Sequence, residues 1–189
     1  MAKKMSDICI VFGGNSQDGF YLDALCMKKG MKVMSVSRSA GDILGDVSEY
    51  QFVEGLIKEY MPAYVFHLAA NSTTRHDAIL ENYQTICIGS CNILEAVKRF
   101  SPKTRVFITG SGLQFKNHGL PISECDPFVF DSAYAVVRNN SVECARYYRS
   151  LGLQVYVGYL FHHESPMRKP NHVSKMIALA ARRIANGSD

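Results

Sequence analysis

The sequence predicts an α/β fold: a doubly wound parallel sheet of five or more strands with helices on both faces. Three observations point there. Short apolar runs alternate with longer stretches of helical periodicity, the first run ends in a glycine-rich turn, and no internal repeat or low-complexity tract interrupts the order. Strands buried on both faces read as near-continuous apolar runs, and their alternation with helices is the signature of a parallel sheet.

The elements follow in order. Ile8-Cys9-Ile10-Val11-Phe12 reads as the first strand, ended by Gly13-Gly14. Leu22, Leu25 and Cys26 come next at helical spacing, and Gly30 supplies a C-terminal stop. Val33-Met34-Ser35-Val36 is the second strand, with further strands over 63–68, 105–108 and 153–160. Helical patterns fill 48–61, 78–100 and 132–150, and a last one covers 172–186. Between Gly112 and Asp131 lies a stretch carrying Gly, Pro and Asn, a long loop of the kind that is usually functional or mobile.

Composition narrows the function classes. The 189 residues are 47% hydrophobic and 20% charged, ordinary values for a soluble protein with a full core. A net charge of +4 is mild, and its cations are scattered apart from the pairs Lys3-Lys4, Lys28-Lys29 and Arg182-Arg183. Nothing forms a basic nucleic-acid stripe, and no apolar stretch approaches a membrane span. The six cysteines (Cys9, Cys26, Cys87, Cys91, Cys125 and Cys144) form no C-x-x-C pair, and several stand in apolar runs. A reduced, cytoplasmic protein is the expectation.

The turn Gly13-Gly14-Asn15-Ser16-Gln17-Asp18-Gly19 joins the first strand to the first helix. A dinucleotide needs a tight turn there, close backbone approach to its pyrophosphate, and free N–H groups at a helix N-terminus. Gly13 and Gly19 suit the turn and the helix–strand packing, while Ser16 stands where a G-x-x-G-x-x-G spacing has its middle glycine. Arg38, just past the second strand, stands where a ribose 2′-phosphate would lie, with no acidic residue there in sequence; this favours NADP over NAD. Asp46, with Val47 beside it, is placed for the adenine edge.

Some 120 residues further on, Ser132-Ala133-Tyr134-Ala135-Val136-Val137-Arg138 opens an amphipathic helix. Tyr134 and Arg138 are four apart and so share a helix face. A phenol beside a cation is the arrangement by which short-chain dehydrogenases move a proton while hydride passes to a nicotinamide, normally with Lys.

With these residues in place the chain resembles the extended short-chain dehydrogenase/reductases, and within them the GDP-mannose 4,6-dehydratase group. Gln17-Asp18-Gly19-Phe20-Tyr21-Leu22 is similar to that group's Q-D-G-x-Y-L. Further matching segments are His67-Leu68-Ala69-Ala70-Asn71-Ser72, Gly89-Ser90-Cys91-Asn92-Ile93-Leu94-Glu95-Ala96, and Pro127-Phe128 ahead of Tyr134. The most specific is Leu160-Phe161-His162-His163-Glu164-Ser165-Pro166, which looks like L-F-N-H-E-S-P. The resemblance implies a Rossmann domain over 1–170, with 171–189 the start of a substrate-binding region whose larger part would lie beyond Asp189. It implies that Leu68, Ala69, Ala70 and Ser72 line the cofactor, and that His163 and Arg168 approach it. Tyr134 would face the nicotinamide ribose and a nucleotide sugar. The helices near 78–100 and 132–150 would form the interface of a homodimer or higher homo-oligomer. No metal is expected: His162 and His163 are adjacent at a strand end and point apart.

The chemistry departs from that group. Its reaction oxidises the sugar at C4, removes water across C5 and C6, and returns the hydride. It uses a Tyr base, a cation, a hydroxyl toward O4 and a carboxylate for the C5 proton. Counting back from Tyr134 puts Gly110 at the hydroxyl position and Gly112 at the carboxylate, with Ser111 between them as a substitute hydroxyl. Arg138 keeps the charge, yet a guanidinium is effectively never deprotonated and cannot relay a proton as Lys does. Two readings stay open: an NADP-dependent nucleotide-sugar enzyme resting on Tyr134, Arg138 and Ser111, or a catalytically inactive dinucleotide-binding homologue acting with a full-length partner.

Overall fold

Six strands, all parallel, lie side by side in the order β3-β2-β1-β4-β5-β6 in a computed structural model that describes residues 7–71 and 73–187. They are β1 (Ile8–Phe12), β2 (Lys32–Ser37), β3 (Ile43–Leu44), β4 (Tyr64–His67), β5 (Arg105–Ser111) and β6 (Gln154–Leu160). The helices are α1 (Gln17–Lys28), α2 (Tyr50–Tyr60), α3 (Ile79–Asn82), α4 (Gly89–Phe100), α5 (Ala133–Ser150) and α6 (Val173–Ala185). This is the expected doubly wound Rossmann arrangement. Strand β3 is an addition, two residues pairing Ile43 with Val36 and Leu44 with Ser37.

Strand alternation divides the core. Ile10 and Phe12 of β1 join Val36, Val65, Val106 and Ile108 in one cluster, closed by Val53 and Ile57 of α2, Ile93, Leu94 and Val97 of α4, and Ala145 of α5. Cys9 and Val11 face the opposite way, against Cys26 and Leu22 of α1. Cover on the second face is unequal. Phe66 and Phe107, with ring centroids 5.7 Å apart, are only partly buried, and Tyr156 is 52% exposed.

The helix expected over 78–100 is a composite. A six-residue π-helical segment, Tyr83–Ile88, joins α3 to α4 without a break in helical backbone angles. The local cause is visible at Ile86, whose carbonyl accepts from Ser90 Oγ at 2.6 Å and lies 3.3 Å from His67 Nε2. π-Bulges of this kind accommodate close packing and are frequent at functional sites. Gly89, directly after it, allows that approach: a Cβ there would lie 2.8 Å from Val47. Helix α6 buries none of its residues.

Chain direction along the sheet reverses at β1. The strands run outward through β2 and β3, then restart on the other side with β4, opening a crevice at the carboxyl ends of β1 and β4. Ligands of open α/β sheets bind at such a switch point.

Candidate functional site

A cavity of about 1260 Å³ fills that crevice. Gly13, Gly14, Asn15, Ser16, Gln17 and Gly19 form its floor, Arg38, Asp46 and Val47 one side, and Leu68, Ala69, Ala70 and Arg168 the other. Gly13 has φ +86°, and a Cβ on it would come within 2.6 Å of the Ala69 backbone nitrogen. A Cβ on Gly19 would drive into the Gly14 carbonyl oxygen, and one on Gly14 into Ser35 Oγ. The three glycines thus hold strand, turn and helix at backbone contact. Ser16 is the N-cap of α1: its Oγ accepts from Gly19 N–H at 3.1 Å. The Ser16 hydroxyl oxygen is thus engaged with the helix.

Two further expected residues arrive from the segment after β6. His163 Nε2 lies 2.8 Å from Asp18 Oδ1, and Ser165 Oγ donates to Gln17 Oε1 at 2.9 Å. Arg168 donates to the His163 carbonyl at 2.5 Å and to Glu164 at 2.9 Å. A backbone bond to Phe161 and the carboxylate of Asp18 hold the His163 imidazole above its ordinary value, against some desolvation. This segment is pinned to the first turn of α1, which is how residues about 145 apart meet at the phosphate turn. Ser72, expected in the same lining, lies outside the described residues.

At the rim the structure corrects the expectation that no acidic group stands near Arg38. Arg38 Nη2 donates to Glu81 Oε1 at 3.0 Å, and Asn71 Nδ2 donates to Glu81 Oε2 at 2.8 Å. Hydrogen bonds from Arg38 and Asn71 hold the Glu81 carboxyl below its ordinary value. Sequence reasoning missed this carboxylate because α3 delivers it, far in sequence from β2.

Tyr134 and Arg138 meet as their spacing requires. Arg138 Nε and Nη2 donate to Tyr134 Oη at 3.0 and 2.8 Å, and Nη1 donates to the Thr109 carbonyl at 2.6 Å. Both side chains belong to buried residues, Arg138 only 4% exposed. The guanidinium makes no ion pair among the described residues, so its charge rests on a phenol and a carbonyl oxygen, a costly state unless an anion or phenolate forms beside it. Tyr134 packs with Ile86, Cys87 and Val137, with Ala70 against the same cluster. Since Ala70 also lines the cavity, it connects the Tyr–Arg pair to the groove.

His67 ends β4 and opens the segment His67-Leu68-Ala69-Ala70. It is 1% exposed, and its Nε2 must be the protonated nitrogen because the Ile86 carbonyl can only accept. Nδ1 is left without a partner. Burial, aided by the Arg138 charge, pushes this imidazole down to about 4, so it is neutral near pH 7.

The region of Gly110–Gly112 is organised differently. Ser111 caps a 3-10 turn, Gly112–Gln114: its Oγ accepts from Leu113 N–H at 3.2 Å, and Gln114 Oε1 accepts from Ser111 N–H at 2.8 Å. Gln114 is fully buried and donates to Asn139 Oδ1 at 2.9 Å, fixing the start of the long loop to α5. A Cβ at Gly110 would lie 2.6 Å from the Tyr159 ring, and one at Gly112 would lie 2.6 Å from the Phe161 ring. Aromatic side chains thus fill the directions in which a hydroxyl-bearing and a carboxylate-bearing residue would project.

Comparison with known proteins agrees with this architecture. The chain is 26% identical over 208 residues to a GDP-mannose 4,6 dehydratase of Caenorhabditis elegans, covering 94% of this chain and 54% of that one. It is 27% identical over 219 residues to one from Arabidopsis thaliana, covering 97% and 59%. The chain therefore spans little more than half the length of these relatives. Among solved structures, UDP-glucose 4-epimerase of Thermotoga maritima superimposes with a TM-score of 0.82 at 19% identity, over 96% of this chain and 64% of that one. The dTDP-glucose 4,6-dehydratase of Bacillus anthracis, solved with NAD, gives 0.80 at 18% identity, over 93% and 61%. At that identity the structural likeness speaks for the fold. The family model for GDP-mannose 4,6 dehydratase matches residues 10–189, nearly the whole sequence, and the chain belongs to that family.

Proposed function

We propose that this chain binds NADP in the β1–β4 crevice and acts on a nucleotide sugar by hydride transfer at C4, without completing 4,6-dehydration. One observation carries the reading: Tyr134 and Arg138 form a buried, hydrogen-bonded pair, while the position of the C5 carboxylate is Gly112 with the Phe161 ring against it. The glycine cradle fits the group, since each Cβ it lacks would fill the approach to the turn. Gly13–Gly19 would hold the pyrophosphate with the N–H groups of α1, Arg38 the 2′-phosphate, and Asp46 with Val47 the adenine. The nicotinamide, when bound, supplies the hydride acceptor.

The chain's own residues do the rest. Acting as the phenolate, its charge balanced by the two Arg138 donors, Tyr134 Oη takes the proton of the sugar O4 hydroxyl and becomes a neutral phenol. Arg138 stays charged throughout, so the proton leaves Tyr134 to solvent or substrate and not through the guanidinium. Elimination of water then lacks a base for C5. General acid–base assistance is worth roughly 10²–10⁴ in rate, enough to make dehydration by this chain alone negligible. A second reading, an inactive dinucleotide-binding homologue acting with a full-length relative, is favoured by Ser111, which is buried at 8% exposure and accepts the capping bond from Leu113 N–H. In either reading we place the protein in the cytoplasm as a homo-oligomer built on the α3–α4 and α5 helices.

The test is direct. Calorimetry is expected to give tighter binding of NADP(H) than NAD(H). Incubation with NADP and GDP-, UDP- and dTDP-sugars is expected to reduce the nicotinamide without loss of water from the sugar by mass spectrometry. Dehydrated product would overturn the assignment of Gly112, and binding without any reduction would move the chain to the second reading.

A further inference from the structure

The sequence holds no C-x-x-C pair, yet the fold brings two distant cysteines together. Cys91 on α4 and Cys144 on α5 stand 53 residues apart in the chain, with Sγ atoms 3.0 Å from each other. Cys87, one turn before Cys91, hydrogen-bonds to it and belongs to the same buried cluster as Tyr134. The three thiols form a chain along the α4–α5 seam, from buried Cys87 to partly exposed Cys91 and Cys144. Cys144 is its acceptor end: the Cys91 hydrogen bond holds the Cys144 thiol below its ordinary value, while the same bond pushes Cys91 up to about 11. A second contacting pair, Cys9 and Cys26, differs in kind. Both are buried, and burial pushes the Cys9 thiol far up, which leaves no reachable thiolate.

We propose that Cys91 and Cys144 are a reactive dithiol that small-molecule disulfides of the glutathione type convert reversibly to an intrachain disulfide. The Cys144 thiolate attacks one sulfur of oxidised glutathione, forming a mixed disulfide and expelling one glutathione thiolate. Cys91, losing its proton to solvent, attacks the Cys144 sulfur and expels the second glutathione. The two protein thiols lose two electrons and two protons, and one disulfide oxidant becomes two glutathione thiols. Reduced glutathione reverses both steps. In a reducing compartment the linkage is transient, as intracellular disulfides of mesophiles usually are. Because α5 carries Tyr134 and Arg138 at its start, and the π-helical segment before α4 packs on Tyr134, the linkage ties together the two helices that wall the Tyr–Arg pair.

The experiment exposes the native full chain to oxidised glutathione, blocks remaining thiols with N-ethylmaleimide, and maps peptides without reduction. Wild type is expected to lose two hydrogens in a Cys91–Cys144 linkage and to melt roughly 5 °C or more higher, as closing a loop of this length implies. Exposed Cys125 serves as the internal control for simple glutathionylation. Cys91→Ser is expected to stop at a glutathionyl group on Cys144, and Cys144→Ser to leave Cys91 free; wild type reports the linkage even if a variant folds poorly. Alkylation of both Cys91 and Cys144 at oxidant levels that fully modify Cys125 would overturn the proposal. So would a disulfide-linked dimer in place of the intrachain bond, or an equal yield of the linkage in the urea-unfolded chain.

Discussion

On the proposed reading, a 2′-phosphate arriving at Arg38 would meet a guanidinium already bonded to Glu81 at 3.0 Å, with Asn71 steadying the far oxygen of the same carboxylate. The pair is about half exposed on both sides, so it contributes little to stability. Its consequence is for recognition. The phosphate must share Arg38 with an ionised carboxylate, and two like charges at about 4 Å in water cost about 1 kcal/mol. Glu81→Gln is therefore expected to tighten NADP(H) about 5-fold at low salt and to leave NAD(H) unchanged. Titration at two ionic strengths checks it, since the gain should shrink as salt screens the charges. An equal gain for both dinucleotides would assign Glu81 to the shape of the groove and not to its charge.

Elements set the environment of the buried groups. His67 sits between the end of β4 and the π-helical segment, with Ile86 accepting its Nε2 proton and the Arg138 charge nearby. Its folded value, about 4, lies below the ordinary 6.5. The unfolded chain then binds the extra proton first as pH falls, so the fold has its full stability above 6.5 and loses it between 6.5 and about 4. Urea midpoints are expected to be flat above neutrality and to decline from 6.5 downward, before most carboxylates titrate. His67→Leu is expected to flatten the decline between pH 6.5 and about 5. It leaves the Ile86 carbonyl satisfied by Ser90 Oγ. An unchanged decline in that variant would place the acid sensitivity elsewhere.

For the molecule as a whole, what was legible in sequence followed the range of the interaction. Strands β1, β2, β4, β5 and β6, and the Tyr134–Arg138 bond, follow from local apolar runs and from helical spacing, so residues alone give them. Strand β3 is too short, at two residues, to carry a period. The π-helical segment leaves apolar spacing almost unaltered, because its cause is a side-chain hydroxyl at Ser90 and a strand residue, His67. Glu81 beside Arg38, Phe161 against Gly112, and Cys91 against Cys144 join separate elements, and only the packed sheet brings them together. The same packing leaves apolar groups uncovered on α3 and at the end of α5: Leu80 is 77% exposed, Tyr147 60% and Leu151, just after α5, 44%. Scattered exposed apolar residues are normal; the proposed homo-oligomer would set these against a second copy of the chain. If these helices pair with their copies in a second chain, light scattering should give a dimer, and Leu80→Glu with Tyr147→Glu should give a monomer with little change in melting temperature. Both substitutions are at exposed positions, so a folded monomer is the outcome that assigns the surface. A dimer that survives them would mean that the chains associate through another face.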